Sequence, residues 1–378
     1  MIVLAKIRYI DMIEKLVSAN NTFAFQLFSE IQKFQPNENI FISPSSIAIA
    51  LSMTYNGAVG KTQEAMAKTL NFQGMSLEEI NQANQELGIL LDSLNPEIKL
   101  YIANSIWIRQ GLPFYQSFVQ INQDFYQSQV EEIQSIEIIN NWVKDKTQGK
   151  IEKIIEKDDH GIDMVLLNAI YCKADWQQKF AEYSTQEMPF YLPNGTQKQH
   201  PIMCQLSRHL YYENEAFQAV SLPYGESNVS MYIFLPREQV SLDKFYRTLN
   251  EENWEKWMEN FEYCKVNLGL PKFKSEYEIT LNETLESLGM KIAFDSEKAN
   301  FSGISSEHLC ITEVKHKTFV EVNETGTEAA AATSVIMTRS IQREIVVDML
   351  VDRPFFFAII ENDSESILFM GEITNPKT

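Results

Sequence analysis

The chain has little cysteine, few cations for its size, no long apolar run and no flexible linker. Its cysteines, Cys172, Cys204, Cys264 and Cys310, lie far apart, with no Cys-x-x-Cys pair and no neighbouring histidine cluster. That spacing excludes a zinc module of ordinary design, and no metal or cofactor is expected. The thiols read as reduced and buried, because a chain of 378 residues needs no disulfide framework. This usage favours a reducing, cytoplasmic compartment. Lys and Arg total 32 against 51 Asp and Glu, a net charge of -19. A surface so acidic repels phosphate backbones and anionic lipid, so nucleic acid and membranes are not expected partners.

The opening Met1-Ile2-Val3-Leu4-Ala5 is interrupted by Lys6, Arg8 and Asp11 before an apolar stretch of signal-peptide length develops. Ile10, Ile13, Leu16 and Val17 recur at helical spacing and predict an amphipathic first helix instead. No Pro/Gly/Ser-rich stretch, repeat or run of like charge marks a boundary, so residues 1–378 read as one domain. Asn-x-Ser/Thr matches such as Asn323-Glu324-Thr325 arise readily by chance in an Asn-rich chain, and no glycan is assumed.

What is present is a large apolar content, 44% hydrophobic with 11% aromatic residues, enough for a substantial core. The N-terminal third reads as mainly helical: Ser45–Leu51, Lys61–Leu70 and Ser76–Leu94 have compatible patterns, the last opening on a Ser76-x-x-Glu79 capping box. From about Met164 onward strands dominate, as in Val165–Cys172, Val229–Leu235 and Thr318–Val322. Near the C-terminus, Pro354–Ile360 and Ile367–Ile373 are nearly continuous apolar runs flanking the polar turn 361–366, which predicts a hairpin covered on both faces. The class is α+β.

One segment suits no single secondary structure. Gly326-Thr327-Glu328-Ala329-Ala330-Ala331-Ala332-Thr333-Ser334-Val335-Ile336-Met337-Thr338-Arg339-Ser340-Ile341 has too many alanines for a permanent strand and ends too rich in β-branched residues for a permanent helix. At strand period one face carries Thr327, Ala329, Ala331, Thr333, Val335 and Met337, with no charge. Glu328, the one charge before Arg339, falls on the opposite face. The segment is therefore compatible with sliding between two strands without burying an ion. A short surface helix over 328–332 followed by a loop is the other reading of the same residues.

Glu324-Thr325-Gly326-Thr327-Glu328 followed by four alanines and Thr333 resembles the hinge of inhibitory serpins. Further serpin-like segments follow in the family's order: Asn39-Ile40-Phe41-Ile42-Ser43-Pro44-Ser45-Ser46-Ile47, Thr147-Gln148-Gly149-Lys150-Ile151, Leu167-Asn168-Ala169-Ile170-Tyr171 with Trp176 and Phe180, Leu270-Pro271-Lys272-Phe273, Asp352-Arg353-Pro354-Phe355-Phe356 and Phe369-Met370-Gly371. The resemblance spans nearly the whole chain. It implies a single serpin-type domain with N-terminal helices, a large central β-sheet, further sheets and an exposed reactive-centre loop at about residues 325–350.

The resemblance also implies a mechanism and a partner. A serine protease attacks the loop and forms an acyl-enzyme, and the freed loop inserts into the sheet, distorting the protease before it can deacylate. The chain itself would then not be an enzyme, and it would act as a monomer. By resemblance the hinge comprises Glu324, Gly326, Thr327, Glu328, Ala329, Ala330, Ala331, Ala332 and Thr333. Ser43, Ser46, Asn168 and His316 match the polar cluster beneath the point where the sheet opens, and Trp176 and Lys272 match its upper opening. A Lys272–Glu324 ion pair would tether the loop's base, a solvated surface pair being the alternative. The favoured reactive bond is Arg339–Ser340, which suits a trypsin-like pocket holding a carboxylate. The family's spacing from the hinge glycine lands one residue on, so cleavage after Ser340, before Ile341, is an alternative suited to elastase-like or subtilisin-like enzymes; Arg343 is another. Cysteine proteases are a further target class. A non-inhibitory storage, carrier or chaperone-like role is the main rival, and a hydrolase using Ser43 and His316 is disfavoured because no Gly-x-Ser-x-Gly elbow occurs. Heparin-like polyanions are not expected to bind, since 72–98 contains no Lys or Arg.

Overall fold

A computed structural model describes residues 2–94, 98–156, 162–327 and 345–378, with side chains from residue 11 onward. The first helix, Ile2–Phe34, buries Leu16, Phe23, Leu27 and Ile31 at the helical spacing that its sequence predicts. Helix Pro44–Tyr55 is buried along its entire length, with Pro44 in its first turn where a missing N–H costs nothing. Ser76 and Glu79 form the expected reciprocal capping box at the start of Leu77–Asp92.

The strands form two sheets. The central one has the order Phe273–Thr280, Glu313–Val322, Gly326–Thr327, Met164–Asp175, Ile98–Ile108, Gln129–Glu132. The other runs Ile40–Ile42, Ser366–Ile373, Phe355–Glu361, Val229–Pro236, Phe217–Tyr224, Gln197–Glu213, Glu262–Pro271, Val346–Leu350, with Gln186–Tyr191 paired to the sixth of these, Gln197–Glu213. The C-terminal hairpin is buried at every strand position, which is why its apolar character is continuous rather than alternating. Phe41 stacks on Phe369 and Phe357 at 5.2 and 5.7 Å, tying the first strand to that hairpin. A side chain at Gly371 would stand 2.4 Å from the Phe357 ring, so this crossing requires glycine.

Three expectations change. Val346–Leu350, assigned to the loop from sequence, is a strand parallel to Glu262–Pro271. Gly326–Thr327, assigned to the exposed hinge, already forms part of the central sheet. Of the four cysteines, Cys172 and Cys310 are buried thiols, but Cys204 and Cys264 are partly exposed, because they lie on strands with one accessible face.

Candidate functional site

The geometry of interest lies where two central strands part. Glu313–Phe319 runs parallel to Val165–Tyr171 in continuous register. Above that level Gly326–Thr327 separates them: Thr327 pairs with Val322 on one side and with Ala174 on the other. The reversal that feeds this short strand is built by Asn323. Its backbone exchanges hydrogen bonds with Gly326 at 3.0 and 3.3 Å, and its Oδ1 accepts from the N–H and hydroxyl of Thr325 at 3.0 and 2.7 Å. Gly326 has φ 152°, and a Cβ there would lie 2.2 Å from the Ala174 oxygen and 2.6 Å from the Asp175 Cα. Only glycine passes.

Thr327 is fully buried, and its Oγ1 shares a 2.7 Å hydrogen bond with the Tyr224 hydroxyl. The Tyr224 ring stacks on Trp176 with centroids 4.4 Å apart and planes within 9°. Trp176 in turn holds the turn: its indole N–H donates to the Asn323 carbonyl and its backbone N–H to the Thr325 carbonyl, both at 2.9 Å. Phe180 N–H donates to the Glu324 carbonyl at 2.8 Å. Lys272 Nζ lies 2.9 Å from Glu324 Oε2, and Thr185 Oγ1 donates to Oε1 at 2.8 Å. Glu324 is only 8% exposed, so this is a partly buried tether rather than a solvated surface pair. Burial pushes the Glu324 carboxyl up, but the bonds from Lys272 and Thr185 outweigh it and leave it below the usual carboxylate range.

Lower in the sheet, Asn104, Asn168 and His316 sit at one level on three adjacent strands, Asn168 opposite both of the others. Asn168 Nδ2 donates to Asn104 Oδ1 and to Ser46 Oγ, and His316 Nδ1–H donates to Asn168 Oδ1. Ser43 N–H donates to His316 Nε2 at 3.1 Å, and Ser43 Oγ–H donates to the Leu368 carbonyl at 2.7 Å. Because Nε2 accepts from a backbone N–H, the ring must be neutral with its proton on Nδ1. Complete burial pushes the His316 pKa down to about 3.

A pH dependence follows from that shift. In the unfolded chain His316 titrates near 6.5, so as pH falls from about 6.5 towards 3 the unfolded state gains a proton that the folded state refuses. Between pH 7.5 and pH 5 this removes about 2 kcal/mol of stability. His209 is also buried, its pKa down at about 4, and contributes with the same sign. His316→Asn isolates the first contribution: the wild type should lose about 2 kcal/mol more than the variant across this interval, read from denaturant midpoints. Equal losses would show that His316 does not carry the effect.

The structure thus brings together Ser43, Ser46, Asn168 and His316 at one level, and Trp176, Lys272, Glu324, Gly326 and Thr327 at another. Glu328, Ala329, Ala330, Ala331, Ala332, Thr333, Arg339, Ser340, Ile341 and Arg343 lie outside the described residues. Sequence reading missed Asn104, Thr185, Tyr224 and the turn-building role of Asn323. Asn104 and Tyr224 sit inside strands where nothing local separates a functional polar group from a structural one. Asn323 had a signal, since Asn with Gly three residues on, as in Asn323-Glu324-Thr325-Gly326, is turn chemistry.

Comparison with known proteins agrees with this geometry. The serpin (serine protease inhibitor) family model matches residues 18–376. The human leukocyte elastase inhibitor is 35% identical over 381 residues, covering 96% of this chain and all of that protein. The structure of the thermophilic serpin tengpin in its native state superposes with a TM-score of 0.89 at 35% identity, covering 96% of this chain and 94% of that one. Human thyroxine-binding globulin gives a TM-score of 0.90 at 28% identity, covering 97% and 100%. With its motifs, its sheet order and its parted strands all in agreement over nearly the full length, the chain belongs to the serpin family.

Proposed function

We propose that the chain is a suicide-substrate inhibitor of trypsin-like serine proteases, cleaved between Arg339 and Ser340 and closing its trap by further insertion behind Thr327. The observation that supports this reading is the Gly326–Thr327 pair seated between strands that pair directly only below it. Of the residues that would follow, Glu328 falls on the face opposite Thr327 and Ala329 to Ala332 are small and uncharged, so the steps need bury no ion. About a dozen inserted residues at about 3.3 Å each would carry an acylated protease tens of ångströms. Ladder bonds worth about 0.5–1.5 kcal/mol each would drive that movement. A protease whose oxyanion hole is disturbed then loses the donors that stabilise its deacylation.

The direct test is incubation with a protease panel followed by denaturing electrophoresis and mass spectrometry. A covalent band with a released peptide beginning at Ser340 is expected. A peptide beginning at Ile341 moves the bait to Ser340, and one beginning at Glu344 moves it to Arg343. The leukocyte elastase inhibitor among the relatives favours the Ser340 alternative as the second reading. Absence of any covalent band across serine and cysteine proteases would favour a carrier role, as the likeness to thyroxine-binding globulin suggests. Heparin should not accelerate capture, because helix Leu77–Asp92 carries no Lys or Arg and the chain's net charge is -19. A large, salt-sensitive acceleration in stopped-flow assays would contradict that.

A further inference from the structure

Strand Ile98–Ile108 is paired along its whole length with Met164–Asp175 on one side. On its other side only Ser105–Ile108 are paired, with Gln129–Glu132. From Ile98 to Asn104 that second edge is open: among the described residues no strand and no backbone hydrogen bond from elsewhere closes it. The chain leaves helix Gln116–Tyr126 through Gln127, left-handed at φ 51°, and reaches the edge only at Gln129. Alternate residues of an open edge direct their N–H and C=O groups outward, where another extended backbone can pair with them.

Beside this edge lies a cavity of about 530 Å³, placed where the missing strand would run. Leu100 and Ile102, both half-buried, line it together with Gly88 and Leu91 of helix Leu77–Asp92. Trp142 and Lys146 of helix Ile136–Lys146 line it from the other face of the sheet. The two faces are distinct layers: Leu91, Leu100 and Ile102 pack with the main core, whereas Ala103 packs with Ile139 and Val143 under the second helix. The cavity therefore lies in the plane of the sheet. Gly88 adds a second observation, since glycine weakens a helix interior relative to alanine. No heavy atom lies within 4 Å of a Cβ added there, and its φ is not left-handed, so neither packing nor backbone calls for glycine. What it leaves is a notch in the cavity wall. Six side-chain amides line the cavity against the three charges of Asp92, Glu131 and Lys146, a wall suited to an uncharged occupant.

We propose that this slot receives an extended, uncharged segment of a partner protein, added as a strand beside Ile98–Asn104. One apolar side chain of the segment sits over Gly88 and Leu91, and the next, on the opposite face, lies against Trp142. The open edge selects polypeptide over other apolar ligands, because only an extended backbone answers alternate N–H and C=O groups in register. A second copy of the chain is a poor occupant. Each copy carries a net charge of -19, and the far edge strand of the same sheet, Phe273–Thr280, presents Lys274, Glu276 and Glu278 on its exposed face. This interaction does not depend on the function proposed above.

The probe is the capped peptide acetyl-Ser-Val-Thr-Leu-Ser-Val-Thr-amide, titrated calorimetrically into the full chain. Two further versions are N-methylated, one at its odd-numbered and one at its even-numbered residues. Saturable binding of one unmodified peptide per chain is expected. The two methylated versions should differ in affinity by about tenfold or more, because only one series of N–H groups faces the strand. Bound peptide should slow hydrogen exchange of alternate amides within 98–104, the others being held already by Met164–Asp175. Gly88→Leu should fill the notch and weaken binding by about tenfold, and Gly88→Ala should raise the melting temperature, showing that the helix itself does not need glycine. No binding at millimolar peptide, equal affinity for the two methylated versions, or binding without protection of 98–104 would each overturn the added strand. Undiminished binding by a folded Gly88→Leu would overturn the seat over Gly88. A chain that sediments as a dimer and is dispersed by the peptide would make the occupant a second copy and overturn the partner. Failure to capture any protease would sink the proposed function alone and leave this site standing.

Discussion

Replacing Arg339 by Glu should slow covalent capture of a trypsin-like protease by about a thousandfold or more, while Arg343→Glu should change it little. A guanidinium paired bidentately with a pocket carboxylate contributes about 1.5–3 kcal/mol. Reversing the charge forfeits that contribution and sets two carboxylates against each other in a water-poor pocket, adding several kcal/mol more. At tenfold per 1.4 kcal/mol, the sum corresponds to three or more orders of magnitude in association rate. The measurement is the second-order rate of complex formation, with the released peptide sequenced. If Arg339→Glu captures trypsin as fast as the wild type and Arg343→Glu does not, the bait is Arg343. If both retain capture and elastase forms the faster complex, the bait is Ser340.

The proposed trap would also need a sheet that opens without a large penalty, and the described strands show what opening would break. Insertion as proposed would separate Glu313–Phe319 from Val165–Tyr171, replacing one parallel ladder with two antiparallel ones. At the level of the polar cluster the separation severs the His316–Asn168 bond, while Asn168 keeps Asn104 and Ser46 and His316 keeps the Ser43 N–H. Within the cluster the separation would cost that one hydrogen bond, which the incoming strand would have to replace, and leave the others in place. At the top, Gly326 and Thr327 are already in the sheet, so insertion as proposed would extend an existing strand instead of nucleating one.

Much of this was legible in the chain because the signals are local. The Ser76–Glu79 box and the continuous apolar C-terminal runs each reflect a neighbourhood of a few residues. The partners of those residues were not legible. Asn104 meets Asn168 only through antiparallel register, and Tyr224 meets Thr327 across 103 residues of chain. Register depends on which strands pair, and no periodicity in a single strand encodes that. The same limit left Thr327 in the exposed hinge rather than within the sheet: composition tells that the residue can enter, but the closeness of Ala174 and Tyr224 decides that it has.

That placement sharpens the test of the hinge. Thr327→Arg should convert the inhibitor into a substrate: the loop is still cleaved, but covalent complex falls to a small fraction of the wild-type yield. Thr327 has no exposed surface, and its hydroxyl is held by Tyr224, so a guanidinium there is either buried without a partner or expelled with the turn. If it is buried the uncleaved fold bears the cost, and if it is expelled, re-seating it costs several kcal/mol at the first step of insertion, where each 1.4 kcal/mol slows that step about tenfold while deacylation proceeds unhindered. Because the side chain is buried before cleavage, the uncleaved variant should also melt earlier. Thr327→Val separates the two effects. It keeps shape and neutrality, leaves the Tyr224 hydroxyl unpaired at a cost of about 1–3 kcal/mol, and should retain most of the capture. Glu328→Arg changes charge on the opposite face of the alternation and should retain it as well. A full yield of covalent complex from Thr327→Arg together with failure of Glu328→Arg would mean that the faces are reversed, and that insertion does not proceed through the seat between Val322 and Ala174.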